Sequence, residues 1–251
     1  MKDIYSTTTS HRSIRRYKSD PIPEEHLDMI LKSAIHAPTS VNGQQWSVIV
    51  IKNPQTKDKI ASLTEIKGLG RQEWIAQCPV FLLFVMDYYK LGKKLEEQNR
   101  PFGHIDSIEA TMVGCVDVGI AFSNAMNVAE AMGYGVVPIG AVRGKPREII
   151  ELMELPKGTY PILGMCVGLP DQNPDMKPRM PFEAVVHQEK YNTDTDELVA
   201  EYDKTMEEYM NKRTGGKDIR SWSYTTGNYY ENGYYPFEKE VLEEQGFSNK
   251  F

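Results

Sequence analysis

Apolar and polar positions follow two different periods along the chain, and these periods separate predicted helices from predicted strands. Between residues 23 and 36 the apolar residues recur every three or four positions, which places them on one face of a helix. Pro23 suits the first helical position, and the two glutamates after it favour the positive end of the helix dipole. The runs WSVIVIK (46–52) and PVFLLFVMD (79–87) predict strands, the second of them central and buried on both faces. The other predicted elements are helices at 56–63, 106–133, 146–154 and 196–212 and strands at 136–139 and 160–170.

The apolar segment at 106–133 is long enough to cross a bilayer. Six polar residues interrupt it: Asp106, Glu109, Asp117, Asn124, Asn127 and Glu130. Such a helix, about 40 Å long at 1.5 Å per residue, is typical of a protein interior, so we predict no membrane span. Gly133 is predicted to cap its C-terminus.

These elements predict an α+β domain with a tail. After Pro181 the chain becomes more polar, and seven of its 14 tyrosines lie between Tyr202 and Tyr235. We assign residues 1–195 to a core and residues 196–251 to a C-terminal extension of the same domain, which wraps a partner.

Composition narrows the classes of function. A net charge of −6 argues against general affinity for nucleic acid, because phosphates attract basic surfaces. The first twenty residues contain no apolar run, so no secretory signal is predicted. Three widely spaced cysteines argue against a disulfide framework or a zinc site and predict buried thiols in a reducing, cytoplasmic compartment.

Two stretches offer groups for an anionic or heterocyclic ligand. In HRSIRRY (11–17), His11, Arg12 and Arg15 can cradle a phosphate, while Arg16 is expected to face solvent. The alternative is a solvated basic patch. The loop APTSVNGQQ (37–45) offers hydroxyls and amides for the edge of a heterocycle, and a connecting turn is the alternative.

Three further stretches are candidates. GYGVVPIGAVRG (133–144) follows a helix and lacks the dinucleotide-binding spacing, but its glycines allow a flat ligand close to the backbone, unless they only cap and turn the chain. NPDMKPRMP (173–181) holds two cations between stiffening prolines, in a site for a developing anion or in a plain surface loop. KRTGGKDIRSW (212–222) has four cations around a glycine pair, typical of a mobile lid or of a solvated loop.

No catalytic set of side chains is recognisable. The chain shows no Ser-His-Asp or Cys-His pattern, no phosphate-binding Walker sequence and no metal-ligand spacing among its five histidines. Anion cradles and amide-rich loops without a nucleophile indicate an enzyme whose cofactor carries the chemistry.

Taken in order, these segments resemble the nitroreductase family of flavoproteins, in its branch of NADPH-dependent flavin and nitroarene reductases. The resemblance covers nearly the whole chain and rests on residues 11–17, 21–45, 129–144, 155–181 and 208–223. It implies a homodimer with FMN at the interface. It also implies a mixed sheet flanked by helices, a long central helix and an exchanged C-terminal extension.

The resemblance also implies site residues. For the FMN phosphate and ribityl chain these are His11, Arg12, Ser13 and Arg15, with Lys177 and Arg179 near the flavin and its phosphate. Thr39, Ser40 and Gln44 match the loop beside the isoalloxazine, Gln72 a glutamine facing the ring, and Pro138, Ile139 and Gly140 the backbone near flavin N5. Arg213 matches an arginine used for NADPH, and Lys217 and Arg220 lie in the same loop. The chain departs from the family in a longer TEIKGLGRQ segment before Gln72 and in Val41-Asn42-Gly43, which replaces a more serine-rich loop.

The implied activity is ping-pong transfer: NADPH gives a hydride to FMN, and a nitroaromatic, quinone, azo compound or free flavin then takes the electrons. No protein side chain is expected to act as a catalytic acid or base. A flavin-binding redox module with little turnover, or a dedicated NADPH:FMN reductase that supplies free reduced flavin, is the alternative. A single-strand nucleic-acid binder with stacking tyrosines is disfavoured by the net charge.

Overall fold

The computed structural model describes residues 3–65, 70–231, 235–248 and 250. They form two units, one of residues 1–174 and 235–251 and the other of residues 175–234. The division into a core and an extension at residues 195 and 196 stays a prediction.

A four-stranded sheet forms the centre of the first unit. Its strands are β1 (Trp46–Ile51), β2 (Val80–Asp87), β3 (Gly135–Ile139) and β4 (Thr159–Gly168), in the order β1-β2-β4-β3. Neighbouring strands run antiparallel, with Trp46 opposite Met86 and Phe81 opposite Cys166. In the described part of the chain, the parallel pairing expected of a mixed sheet is limited to an isolated bridge between Ser13 and Val136.

Helices surround this sheet and make up most of the second unit. Those of the first unit are α1 (Ile4–Thr9), α2 (Glu24–Ile35), α3 (Pro54–Leu63), α4 (Glu73–Gln77), α5 (Tyr89–Glu97), α6 (Ile108–Ala131), α7 (Pro146–Leu152) and, after the second unit, α10 (Glu238–Glu244). The second unit contains α8 (Asp196–Thr214) and α9 (Trp222–Glu231).

Local chemistry fixes where the main helices begin and end. Pro23 is the N-cap of α2 and not its first helical residue, so the helix begins at Glu24, one residue later than predicted. Ser107 caps α6 by accepting a hydrogen bond from the Ala110 amide (3.1 Å), as small hydroxyl residues commonly do. After α6 the chain turns at Gly133, whose φ of +90° suits glycine, so the predicted C-terminal glycine is confirmed.

The central strand β2 separates two apolar cores. Successive side chains of a strand point to opposite faces, so Leu82 and Phe84 pack with α2 and α6, whereas Phe81 and Leu83 pack with residues of α3, α4 and α7. Every residue of β2 is buried, which confirms the prediction of a central strand.

Among the described residues, α6 alone is long and apolar enough to cross a membrane. One of its faces lies in the core with Ala121, Phe122 and Ala125, which supports the prediction of an interior helix. The opposite face is a surface of the chain, where Ile108, Met112 and Val116 are 53%, 58% and 58% exposed. We call these three residues the α6 stripe.

Candidate functional site

Residues 11–17 lie as an extended segment against β3, the edge strand of the sheet. Ser13 forms a parallel bridge with Val136, and the Ile14 amide donates to the Val136 carbonyl (2.9 Å). Farther along, Tyr17 pairs with Pro170. In an extended segment, neighbouring side chains point to opposite sides. The basic residues of this segment therefore reach different neighbours.

The predicted phosphate-binding residues divide between two surroundings. His11 Nδ1 is paired with Glu130 Oε1 (2.6 Å), and Arg12 Nη1 donates to Asn173 Oδ1 (2.6 Å). The guanidinium carbon of Arg15 instead lies 5.5 Å from the ring centre of Trp74, a cation–π distance. Arg16 is exposed, as predicted.

A cleft of about 160 Å³ lies on the Arg12 side, with Glu130 in its wall. Arg12 Nε and Glu130 Oε2 are both buried there and have no hydrogen-bond partner within the described part of the chain. A buried guanidinium N–H without an acceptor is the donor that a phosphate oxygen takes. Arg12 therefore offers a donor that fits an anionic group of the kind that FMN carries, whereas the Glu130 carboxylate in the same wall does not.

The loop between α2 and β1 has a strained backbone. Val41, Asn42 and Gln44 have φ values of +49°, +55° and +51°, and such values are unusual for a β-branched residue. The Gln44 amide donates to Thr39 Oγ1 (3.2 Å), which closes the loop on itself. The side chain of Val41 is 93% exposed. Strain of this kind persists only where neighbouring structure enforces it, and it is common at ligand sites.

Asp117 of α6 provides that enforcement. Its Oδ1 accepts a hydrogen bond from the Ser40 amide (3.1 Å), and the residue is 1% exposed. Oδ2 is buried and unpartnered among the described residues. Burial raises the pKa of this carboxyl above its usual range, opposed by the hydrogen bond from Ser40. Asp117 therefore fixes the position of Thr39 and Ser40 relative to the core.

Gln72 stands directly before α4. It is buried, and its Nε2 donates to the Thr64 carbonyl (2.7 Å). Two residues later, the indole Nε1 of Trp74 is buried and has no acceptor among the described residues. The longer segment predicted before Gln72 includes residues 66–69, which lie outside the described residues.

The end of β3 lies three residues beyond its bridge to Ser13. Pro138 is exposed, Ile139 is buried, and a 3₁₀ turn begins at Gly140. Because β3 carries both the bridge and this turn, one strand connects the segment predicted for the phosphate with the backbone predicted for the flavin ring.

The second unit holds the remaining predicted residues. Arg179 Nη1 donates to the Lys177 carbonyl (3.0 Å). Arg213 was predicted to lie in a loop. It lies instead in the last turn of α8, with its guanidinium carbon 5.9 Å from the ring centre of Tyr209. The helix ends at Gly215, which has the left-handed conformation that α8 needs to stop.

The three predicted NADPH cations differ in their partners. Arg220 donates through Nε and Nη2 to the two carboxylate oxygens of Asp218 (2.9 and 2.7 Å). These hydrogen bonds lower the pKa of Asp218 to about 2. Arg213 and Lys217 are exposed and, unlike Arg220, have no ion pair with a carboxylate among the described residues. The charge of Arg213 or Lys217 is therefore less offset than that of Arg220.

Comparison with known proteins decides the family. The model of the nitroreductase family matches residues 8–169, and that of the nitroreductase family C-terminal domain matches residues 177–250. The chain belongs to the nitroreductase family.

Relatives within the nitroreductase family cover nearly the full chain. An FMN reductase (NAD(P)H) of Bacillus subtilis (strain 168) is 46% identical over 251 residues, 98% of each chain. An NADPH-dependent oxidoreductase of Staphylococcus saprophyticus is 34% identical over 98% of each chain. The structure of B. megaterium NfrA2 matches with a TM-score of 0.94 and 41% identity over 100% of each chain. The nitroreductase-like α+β fold predicted from the sequence is thereby confirmed.

Three residues of this site were missed by the sequence analysis as site residues. Asp117 and Glu130 were noted only as interruptions of an apolar helix, although an acidic residue in such a helix needs a partner. The need for a partner was the signal in the sequence by which Asp117 and Glu130 could have been found. Trp74 gave no such signal, because its helix α4 is too short to show a periodic pattern. The cysteine prediction was wrong at Cys115, which is exposed, while Cys78 and Cys166 are buried as predicted.

Proposed function

We propose that this nitroreductase is an FMN-dependent enzyme that takes reducing equivalents from NADPH and passes them to nitroaromatics, quinones, azo compounds or free flavin. One observation carries the proposal. Segment 11–15, the start of β3 and the start of α4 are far apart in sequence but meet through the Ser13–Val136 bridge and the Arg15–Trp74 contact. The names of the relatives, FMN reductase and NADPH-dependent oxidoreductase, support it.

In this proposal the first unit contributes the groups that hold FMN. The phosphate and ribityl chain are assigned to His11, Arg12, Ser13 and Arg15, the ring to Thr39, Ser40, Gln44, Gln72, Pro138, Ile139 and Gly140. When bound, FMN supplies the capacity to accept a hydride and to give up its electrons. Fixed cations stabilise the negative charge that reduction places on a ligand. Lys177 and Arg179 of the second unit are assigned to that task.

Exposed groups of the second unit are assigned to NADPH. The 2′-phosphate that distinguishes NADPH from NADH requires cations with available donors. Arg213 is the first choice, because among the residues that the structure describes its charge has no carboxylate partner, whereas that of Arg220 has one. Lys217 and Arg220 are secondary.

We infer further that the enzyme works as a cytoplasmic homodimer. The α6 stripe exposes three large apolar side chains on one helix face, and contiguous apolar surface of this kind commonly marks a protein interface. The polar tail is assigned to wrapping the second copy.

A visible absorption spectrum and a pair of variants test the flavin assignment. The purified protein should show the bands of oxidised flavin, and anaerobic NADPH should bleach them. Arg15→Ala should weaken flavin retention by roughly 1.5–3 kcal/mol, the worth of a charge-assisted hydrogen bond. Arg16→Ala removes the neighbouring exposed cation and should leave flavin content unchanged. Undiminished flavin in Arg15→Ala would contradict the phosphate role, and a bound flavin that NADPH does not bleach would identify a redox module without turnover.

A further inference from the structure

A second groove in the first unit shares no residue with the candidate site. It lies between α5, the turn at residues 157–158 and the end of α10, and encloses about 300 Å³. This volume lies at the lower end of the range found for small-molecule sites.

Aromatic rings form the walls of this groove. The ring centre of Tyr88 lies 5.9 Å from that of Phe102 and 6.0 Å from that of Phe247. The Tyr88 hydroxyl donates to the Ala110 carbonyl (2.7 Å), which fixes the ring. Burial raises the pKa of Tyr88 to about 12, so this hydroxyl keeps its proton at neutral pH. The groove thus has a rigid, apolar wall suited to a flat ring.

Glycines keep the groove open. A Cβ added at Gly92 of α5 would lie 3.4 Å from the Phe102 ring. Gly158 and Gly246 have φ values of +80° and +97°, conformations that favour glycine. A larger side chain at Gly92 would occupy the space in front of Phe102, which makes this position a means of closing the groove.

The groove also contains an acceptor without a donor. Gln245 lines it and is 5% exposed, and its Oε1 is buried with no hydrogen-bond partner in the described residues. A buried acceptor left unpaired costs about 1–3 kcal/mol. Because the terminal torsion of glutamine is soft, we expect the side-chain amide to turn towards a donor that binds in the groove.

Two lysines at the rim of the groove, Lys93 and Lys157, supply positive charge. Lys157 Nζ donates to the Glu244 carbonyl and is thereby engaged. Lys93 Nζ is paired with Glu96 Oε2 (2.9 Å), and both side chains are more than half exposed. An exposed pair of this kind contributes little to stability, so Lys93 can pair with an anion as well as with Glu96, which also lines the groove.

We propose that this groove binds a small aromatic anion that carries an O–H or N–H donor. The ring lies against Phe102 and Tyr88, the acid group pairs with Lys93, and the donor satisfies Gln245 Oε1. The groove shares no lining residue with those assigned to the flavin or the nucleotide, so the proposal does not depend on the proposed function.

The probe for the test is 6-hydroxy-2-naphthoate, which combines a fluorescent ring, a carboxylate and a hydroxyl. Its binding to the purified protein, with whatever flavin it carries, is measured by fluorescence and calorimetry. We expect one saturable site per chain, unaffected by NADP⁺ and without change in the flavin spectrum. Gly92→Leu should abolish it, and Lys93→Gln should raise the Kd about threefold to fivefold.

Two matched controls sharpen the result. Lys94 also pairs with a glutamate three residues later (2.7 Å to Glu97) but does not line the groove, so Lys94→Gln should leave the Kd unchanged. Gln245→Leu should weaken 6-hydroxy-2-naphthoate about fivefold and 2-naphthoate, which lacks the hydroxyl, hardly at all.

Several outcomes would overturn the proposal. These are an absence of saturable binding, binding that survives Gly92→Leu, and equal losses in Lys93→Gln and Lys94→Gln. A shift of Gly92→Leu towards monomer in sedimentation would also overturn it, by assigning the groove to a subunit interface. NADPH-dependent flavin bleaching, measured on the same samples, reports on the proposed function independently.

Discussion

Asp117 shows how one buried carboxylate can determine the shape of a loop on the surface. Its single hydrogen bond to the Ser40 amide connects α6 with a loop that contains three non-glycine residues at positive φ. The hydrogen bond from the Gln44 amide to Thr39 Oγ1 closes the loop on itself but does not connect it to the core. We therefore expect the conformation of Thr39, Ser40 and Gln44, and any contact they make with a flavin, to depend on Asp117.

Two substitutions separate the hydrogen bond of Asp117 from its charge. Asp117→Asn keeps an acceptor for the Ser40 amide, whereas Asp117→Leu removes it and leaves that N–H without its partner. We expect the leucine variant to lose about 1–3 kcal/mol of unfolding free energy and to bind flavin more weakly. The asparagine variant should retain flavin. Denaturant unfolding and flavin titration measure both, and equal behaviour of the two variants would show that the hydrogen bond does not position the loop.

The pH dependence follows from the raised pKa of Asp117. Its stabilising contribution is complete below the pKa of the unfolded chain, near 4, and is lost as the pH rises through the higher folded value, because burial disfavours the charged form. Asp117→Asn cannot ionise. Its unfolding free energy relative to the native protein should therefore increase from acid to neutral pH, and a constant difference would contradict a buried ionised carboxylate.

Arg213 is the residue on which nicotinamide selectivity is predicted to depend. Arg213→Ala should raise the apparent constant for NADPH roughly tenfold or more, as expected for a lost charge-assisted contact, and leave that for NADH nearly unchanged. Stopped-flow reduction of the bound flavin measures each nucleotide. Lys212→Ala is the matched control, because its charge is already paired with Asp175 (3.2 Å). Equal losses with both nucleotides in Arg213→Ala would mean that the arginine supports the pocket in general.

Among the elements, β3 has the largest influence on the candidate site, because segment 11–17 packs directly against it. A Cβ at Gly135 would lie 2.7 Å from the Ile14 side chain, closer than packed atoms approach. The absence of a side chain at Gly135 therefore allows the segment to lie against the strand.

Gly135→Ala tests that dependence. The added methyl group must displace Ile14, so we expect a loss of about 1–3 kcal/mol in stability from overpacking, together with weaker flavin retention. Gly227→Ala in α9 adds the same methyl group where no described atom lies within 4 Å and should be neutral or stabilising. Thermal unfolding and flavin content are the measurements. Full flavin retention in Gly135→Ala would show that the segment tolerates displacement.

Long elements with a clear period were predictable from the sequence, and among the shorter ones β3, α3 and α7 were predicted as well. The apolar run of β2 and the periodic faces of α2 and α6 gave nearly correct bounds because burial dictates their residues. The short helices α1, α4 and α9 and the last one, α10, were missed, since few turns carry little periodic signal. The strongly amphipathic α5 was missed as well.

The resemblance predicted the site residues in groups. It did not predict that residues of one group, Arg12 and Arg15, contact different neighbours. The sequence places Arg12 and Arg15 three residues apart, and a helical or looped segment would let both face one phosphate. The extended backbone against β3 instead directs them to Asn173 and Trp74. Only the pairing of distant segments determines this, and the spacing of residues does not report it.

At the level of the whole molecule, the α6 stripe is an apolar surface that a single chain leaves exposed to solvent. Charging it should weaken a dimer, because an unpaired carboxylate would be buried in the interface. Met112→Asp should therefore shift the protein towards a monomer near 28.6 kDa in sedimentation and lower its flavin content. Leu91→Asp, at an exposed apolar position on α5, should do neither. A stable dimer of Met112→Asp would place the interface elsewhere.

The first unit is completed by the last residues of the chain, and this has a consequence for its synthesis. Phe247 is fully buried beside Tyr88, and the Gly158 amide donates to the Gln245 carbonyl (2.8 Å). At about 5–20 residues per second, the ribosome needs roughly 4–15 s to make the residues that follow Pro174. During that time Tyr88 lacks the ring of Phe247 that packs against it in the complete chain. Chaperones that recognise exposed aromatic surface should therefore bind ribosome-held chains that end before residue 235, and release them once Phe247 emerges.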